Sequence, residues 1–197
     1  MCYFILHQTQ ATKQYGSSWV TDQNGHTIYF LRGQLSQYYY QLQIHDAKNM
    51  FLAEIKQLNT GIIPRFKIQS GERQLGSFGL ALPMHEVIYI KRLNWVVFAH
   101  PKQRAYYIFK GRQVLLHSSL NQHQQLEINI TQSKQQALLI LIIAFLDRYQ
   151  QTMMPLTLTQ KLQLNYQQLA LNPTFNPQFK SKHPVSSITF KSGEYHL

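Results

Sequence analysis

The sequence predicts a mainly β protein: a closed antiparallel β-barrel of about twelve strands enclosing a C-terminal hydrophobic α-helix. Three observations carry that expectation. From Tyr3 to Ile130, apolar and polar residues alternate with a period of two. Turn-forming residues punctuate the alternation at fairly regular spacing. The run from Ala137 to Leu146 is then apolar on every side, and a helix with no wet face needs enclosure on every face. A barrel of about eight strands is filled by its own side chains, so one that holds a helix must have more. The chain before Ile130 has room for roughly ten to twelve strands of five or six residues.

Each element has its own justification. Tyr38, Tyr40, Leu42 and Ile44 alternate with Tyr39, Gln41, Gln43 and His45. Phe66 and Ile68 alternate with Arg65, Lys67 and Gln69, and Leu126, Ile128 and Ile130 with Glu127 and Asn129. One face of each strand is apolar and the other wet, as an antiparallel sheet curved around a core requires. Asp22-Gln-Asn-Gly25 and Asp46-Ala-Lys-Asn49 precede the strands Thr27 to Arg32 and Met50 to Lys56 in the same place, a weak internal repeat. In both, the Asp carboxylate can accept bonds from the backbone ahead of it while Gly or Asn takes a positive φ. Further turns are expected at Ser70-Gly-Glu72, His100-Pro-Lys-Gln103, Lys110-Gly-Arg112 and Asn121-Gln-His123.

The central helix is expected over about 133–149, with Thr131 or Ser133 as N-cap and Asp147 and Arg148 closing its end. Its apolar core falls well short of the roughly 20 residues that cross a bilayer, so a protein interior is favoured over a single-pass membrane span. Residues 1–150 form the barrel domain and 151–197 a C-terminal extension. In the extension Met153-Met-Pro155 breaks the helix, and Leu158, Leu162, Tyr166 and Leu169 recur at helical spacing as a short amphipathic helix. Pro173, Pro177 and Pro184 with Lys180, Lys182 and Lys191 then read as a basic flexible tail.

These residues resemble the tubby C-terminal-like superfamily, specifically its small LURP-one-related group. The likeness rests on the start Tyr3-Phe4-Ile5, on Asp22-x-x-Gly25 followed by Thr27-Ile-Tyr-Phe-Leu-Arg-Gly33, and on Asp46 with Phe51-Leu-Ala-Glu-Ile55. Tyr106-Tyr-Ile-Phe-Lys-Gly111 and the helix ending Leu146-Asp-Arg148 complete it, over roughly Tyr3 to Tyr149. The resemblance implies a twelve-stranded barrel around a central hydrophobic helix. It also implies a link to phosphoinositide binding in tubby proteins and to the similarly folded phospholipid scramblases, although many LURP-one-related proteins have no established activity. No lipid-contact residue of the family matches a position here one for one, and the extension departs from the family pattern.

Composition bounds the function. Lys and Arg number 19 against 8 Asp and Glu, a formal charge of +11, which favours anionic partners. Cys2 is the single cysteine, so no internal disulfide forms, and the start lacks the pattern of a secretory signal. A cytoplasmic protein, peripheral at the membrane, is the expectation.

Chemistry is sparse. His85, His100, His117 and His123 lack the spacing of metal ligands. Asp22 and Asp46 are explained as turn formers, while Glu54, Glu72, Glu86 and Glu127 show no pairing for acid–base work. Gly71 and Gly76-Ser-Phe-Gly79 fit no phosphate or dinucleotide loop. Trp19 and Trp95 beside basic residues are weak grounds for nucleic acid, since aromatic residues on a barrel usually pack. The expectation is therefore a non-enzymatic barrel without a cofactor that binds an anionic lipid or phosphorylated ligand through Lys91, Arg92, Lys102, Arg104, Lys110 and Arg112. A protein-interaction scaffold using the C-terminal extension is the alternative, and a single-pass membrane protein the third.

Overall fold

The structure, a computed structural model, describes residues 2–8, 18–36, 39–59, 63–80, 86–131 and 133–153. The expected amphipathic helix and basic tail of the extension, and His85, lie outside the described residues. Twelve strands follow in order: β1 (Cys2–Gln8), β2 (Ser18–Asp22), β3 (Thr27–Ser36), β4 (Tyr39–Asp46), β5 (Phe51–Asn59), β6 (Arg65–Ser70), β7 (Arg73–Gly79), β8 (Val87–Ile90), β9 (Trp95–His100), β10 (Ala105–Lys110), β11 (Gln113–Leu120) and β12 (Leu126–Ile130). The helix α1 (Gln136–Met153) comes last.

All pairings are antiparallel, and each strand lies beside its neighbour in sequence. β1 also pairs with β12, Cys2 opposite Ile130 and Leu6 opposite Leu126, so the meander turns back on itself. The ring is completed between β7 and β8 by a single bridge, in which the Lys91 amide donates to the Ser77 carbonyl at 2.8 Å and the Ser77 amide to the Lys91 carbonyl at 3.4 Å. Gly76 makes that approach feasible, because a Cβ there would stand 3.0 Å from the Lys91 carbonyl oxygen and 3.2 Å from Ile90 Cγ2.

The barrel encloses α1. Every residue from Leu138 to Asp147 is buried, against inward side chains that include Leu42, Ile44, Ile55, Phe66, Ile68, Trp95 and Ile128. Phe145 sits edge-on to Phe66 at 4.9 Å and to Phe78 at 5.8 Å. Each such side chain contributes about 1.5–3 kcal/mol relative to exposure, which offsets the entropy of ordering the strands around it. Among the described residues no helix is long and apolar enough to cross a membrane, and α1 is already enclosed by strands.

The turns follow the sequence closely. Asp22 Oδ1 accepts from the amides of Asn24 and His26, each at 2.9 Å, and Asp46 Oδ1 from those of Lys48 and Met50 at 2.9 and 2.7 Å. Asn121 Oδ1 repeats the pattern with His123 and Gln125. The fourth residue takes a positive φ in all three: Gly25, Asn49 and Gln124. The weak repeat is thus a threefold-used Asx turn.

One detail corrects the sequence reading of the helix. It starts later and runs further than 133–149: Ser133–Gln135 form a 3-10 turn, and the α-helix spans Gln136–Met153. The Thr131 hydroxyl is directed at β11, donating to the carbonyls of Val114 at 2.6 Å and Leu115 at 3.1 Å.

Candidate functional site

The meander sends alternate turns to opposite ends of the barrel. The β2–β3, β4–β5, β6–β7, β8–β9 and β10–β11 turns share one end with the start of α1, while the β9–β10 and β11–β12 connections share the other with the end of α1. The six expected cationic residues therefore do not form one cluster. Lys91 and Arg92 in the β8–β9 turn, and Lys110 and Arg112 around the β10–β11 turn, stand exposed at the first end. Lys102 and Arg104 lie beyond β9, whose six residues separate the two rims by about 20 Å.

Arg104 is committed elsewhere. Its Nε and Nη2 donate to the two carboxylate oxygens of Asp147 at 2.9 and 2.7 Å, a bidentate pair. Asp147 is fully buried, and also accepts from the hydroxyl of Tyr106 at 3.1 Å and from Gln8 and Gln151 at 2.9 and 2.7 Å. It does not close the helix end, as the sequence suggested, but locks the last turns of α1 to β1, β10 and the β9–β10 connection. The bond to Asp147 raises the Arg104 pKa further, against burial, which lowers it. Burial, reinforced by the neighbouring carboxylate, pushes the Tyr106 phenol far above its ordinary value.

At the first rim the structure brings together a different set. Arg73 begins β7, Arg92 stands in the β8–β9 turn and Lys134 in the turn before α1, and all three line one open pocket of about 850 Å³. Its walls include Leu52, Ala53, Leu75 and Leu93, with Ala137 and Leu138 of the first turn of α1, while Ser70, Gln74 and Gln135 add neutral polar groups. No carboxylate appears among the described lining residues. The first turn of α1 has no acidic residue, so its unopposed amide dipoles add to the positive potential. Arg92 adopts φ +70°, and its Nη1 donates to the Gln74 carbonyl at 3.2 Å, which holds the guanidinium beside the opening. Among the described residues, neither Arg73 nor Lys134 enters a salt bridge. An apolar wall beneath cationic groups suits an anionic head carried on an apolar body.

Arg73 was not among the expected cationic residues, and nothing in its sequence neighbourhood sets it apart. The Lys91–Asn94 turn was not foreseen, because Arg92 and Asn94 take positive φ without any Gly or Pro to announce it. Glu54 is likewise better partnered than its sequence suggests: it accepts from Gln41 at 2.5 Å, from Gln43 at 3.1 Å and from Gln69 across β4 and β6. Burial raises its pKa, and the three amides more than offset that and hold the carboxyl below its ordinary range. Among the described residues no group of three His, Cys, Asp or Glu converges as for a metal ion.

Fold and rim together define a class: a helix-filled meander barrel with an amphipathic, cationic pocket at the end where the helix enters. No family model and no curated protein matches the sequence. Among solved structures, the X-ray structure of a protein from Arabidopsis thaliana is similar at 11% identity, with a TM-score of 0.49, over 73% of this chain and 90% of that one.

Proposed function

We propose that this chain is a non-enzymatic, tubby-like barrel of the LURP-one-related kind that binds a phosphorylated amphiphile at the rim pocket. Twelve antiparallel strands around a buried helix support the kinship. The observation that carries the ligand reading is the convergence of Arg73, Arg92 and Lys134 over an apolar wall with no lining carboxylate. Arg92 and Arg73 offer planar donors to phosphate oxygens, Lys134 a point charge, and the leucines accept the first carbons of a tail. The same anionic chemistry arises from free phosphate or from a lipid head, and the two are separable. Calorimetric titration with dihexanoyl phosphatidic acid, below its micelle concentration, and with inorganic phosphate reads both. We expect the lipid to bind more tightly, and Arg73→Gln with Lys134→Gln to weaken it at least tenfold, since charged hydrogen bonds contribute about 1.5–3 kcal/mol each. Absence of heat with both probes, or equal affinity in the variant, refutes the reading; phosphate binding as tightly as the lipid assigns the site to free anions.

A further inference from the structure

The outer wall formed by β8 to β11 differs from the rest of the barrel. Across the middle of β4 to β6 the outward side chains are polar, Gln41, Gln43, Glu54, Lys56, Lys67 and Gln69, while the exposed apolar residues Phe51 and Leu58 stand apart, near opposite ends of β5. On β8 to β10 the outward set is largely apolar and aromatic, with His100 at the end of β9, and β11 adds Val114 next to the polar His117 and Ser119. Val87 stands opposite Phe98, Tyr89 opposite Val96, and Tyr107 and Phe109 on β10 face Phe98 and Val96 in turn. Phe98 and Phe109 meet edge-on at 5.5 Å, and Tyr107 stacks on His117 at 4.6 Å, so the patch is one connected surface. Much of it is open to solvent: Val87 is 56% exposed, Tyr89 51%, Phe98 41% and Val114 37%. Scattered apolar residues are ordinary on a surface, but a contiguous patch marks an interaction site.

Charge selects the partner. From Val87 to Leu126 the chain contains no Asp or Glu, while Lys91, Arg92, Lys110 and Arg112 border the patch at one rim and Lys102 at the other. Glu86, exposed just before β8, is the carboxylate beside it. A second copy packed face to face about a two-fold axis brings like charges together with nothing on the wall to neutralise them. An anionic bilayer supplies both an apolar layer for the aromatic side chains and negative charge for the basic fringe. The polar middle of the β4–β6 wall, which keeps Phe51 and Leu58 apart, limits the contact to one side of the barrel.

We infer that the β8–β11 wall is a one-sided membrane-docking face, with Val87, Tyr89, Phe98 and Val114 entering the headgroup boundary of an anionic bilayer and the flanking lysines and arginines holding its surface. The inference stands apart from the rim pocket: it survives a pocket that takes no ligand, and the phosphatidic acid titration and the vesicle assay fail independently.

The test is flotation of the full chain with phosphatidylcholine vesicles, with and without about 30% phosphatidylserine. The wild type floats with the anionic vesicles and stays behind with the neutral ones. Tyr89→Ser with Phe98→Ser reduces the partition coefficient about tenfold or more, given the area each ring withdraws from water, while its thermal melt stays within a few degrees of wild type. Val87→Trp gains emission that bromine-labelled acyl chains quench. The inference is overturned if the wild type ignores anionic vesicles, if the double variant floats as well as wild type, or if the new tryptophan is not quenched. One further outcome overturns it by naming another occupant: loss of a concentration-dependent dimer in the double variant assigns the wall to a second copy.

Discussion

Replacing Arg104 by Ala removes the cationic partner of a carboxylate that has no contact with water. Asp147 keeps three neutral donors, Tyr106, Gln8 and Gln151. They cannot supply the charge that the guanidinium provides, and breaking one half of a buried ion pair costs about 3–5 kcal/mol. The Arg104 side chain is 25% exposed, and water can refill part of its place, so about 2–3 kcal/mol is the appropriate figure. For a domain of this size that corresponds to a fall in melting temperature of about 4–12 °C. Arg104→Lys keeps the charge but loses the two-pronged geometry, and falls between Ala and wild type. The assay is thermal unfolding followed by circular dichroism, with Asp147→Asn and the Arg104→Ala/Asp147→Asn double variant closing a thermodynamic cycle. The double variant is expected to be less destabilised than the sum of the singles, since the stranded charge is gone. An Arg104→Ala protein that melts within 1 °C of wild type, or strict additivity in the cycle, refutes the account. The same variant is expected to leave phosphatidic acid affinity unchanged, because Arg104 lies at the opposite rim from the pocket.

Two further outcomes follow from particular contacts. Burial lowers the His7 pKa, and the ring stacks on Trp19 at 5.1 Å and takes a bond from Gln125 that requires a bare Nδ1, so the folded state resists protonation. Its contribution to stability is complete above the ordinary value of 6.5 and is lost as pH falls toward the lowered one. Glu54, also lowered, adds a second loss below 4.5; the urea midpoint should fall in both windows, and His7→Gln should flatten the first, an unchanged slope counting against the assignment. Gly76→Val is expected to raise amide exchange at Lys91 and Ser77 about tenfold or more by pushing β7 from β8, at about 1–3 kcal/mol for overpacking, with no rise at Ile128 on β12; uniform exchange across the barrel would contradict a local seam.

The elements that local chemistry determines were legible in the sequence. Alternation placed Leu42, Ile44, Phe66, Ile68 and Ile128 inside, and the Asx residues at 22, 46 and 121 marked their turns. What depended on contacts between distant residues was hidden. Lys91, Lys102 and Lys110 look clustered in sequence, but their spacing is roughly one strand and one turn, which in a meander sends neighbours to opposite rims. Asp147 reads as the polar end of a helix until Arg104 and Gln8, 43 and 139 residues away, are brought against it. The pocket draws on residues from 52 to 138, and nothing local links Arg73 to Lys134.

The order of the elements along the chain has a kinetic consequence. A ribosome delivers all twelve strands before the rod they surround, and the ring also waits for residue 2 to find residue 130. Until α1 emerges, the inward leucines and isoleucines have no partner, and the half-made sheet presents sticky, unpaired edges. Such long-range closure is slow. Nascent chains stalled just short of position 136 should therefore engage holdase chaperones, and release them once the rod is complete.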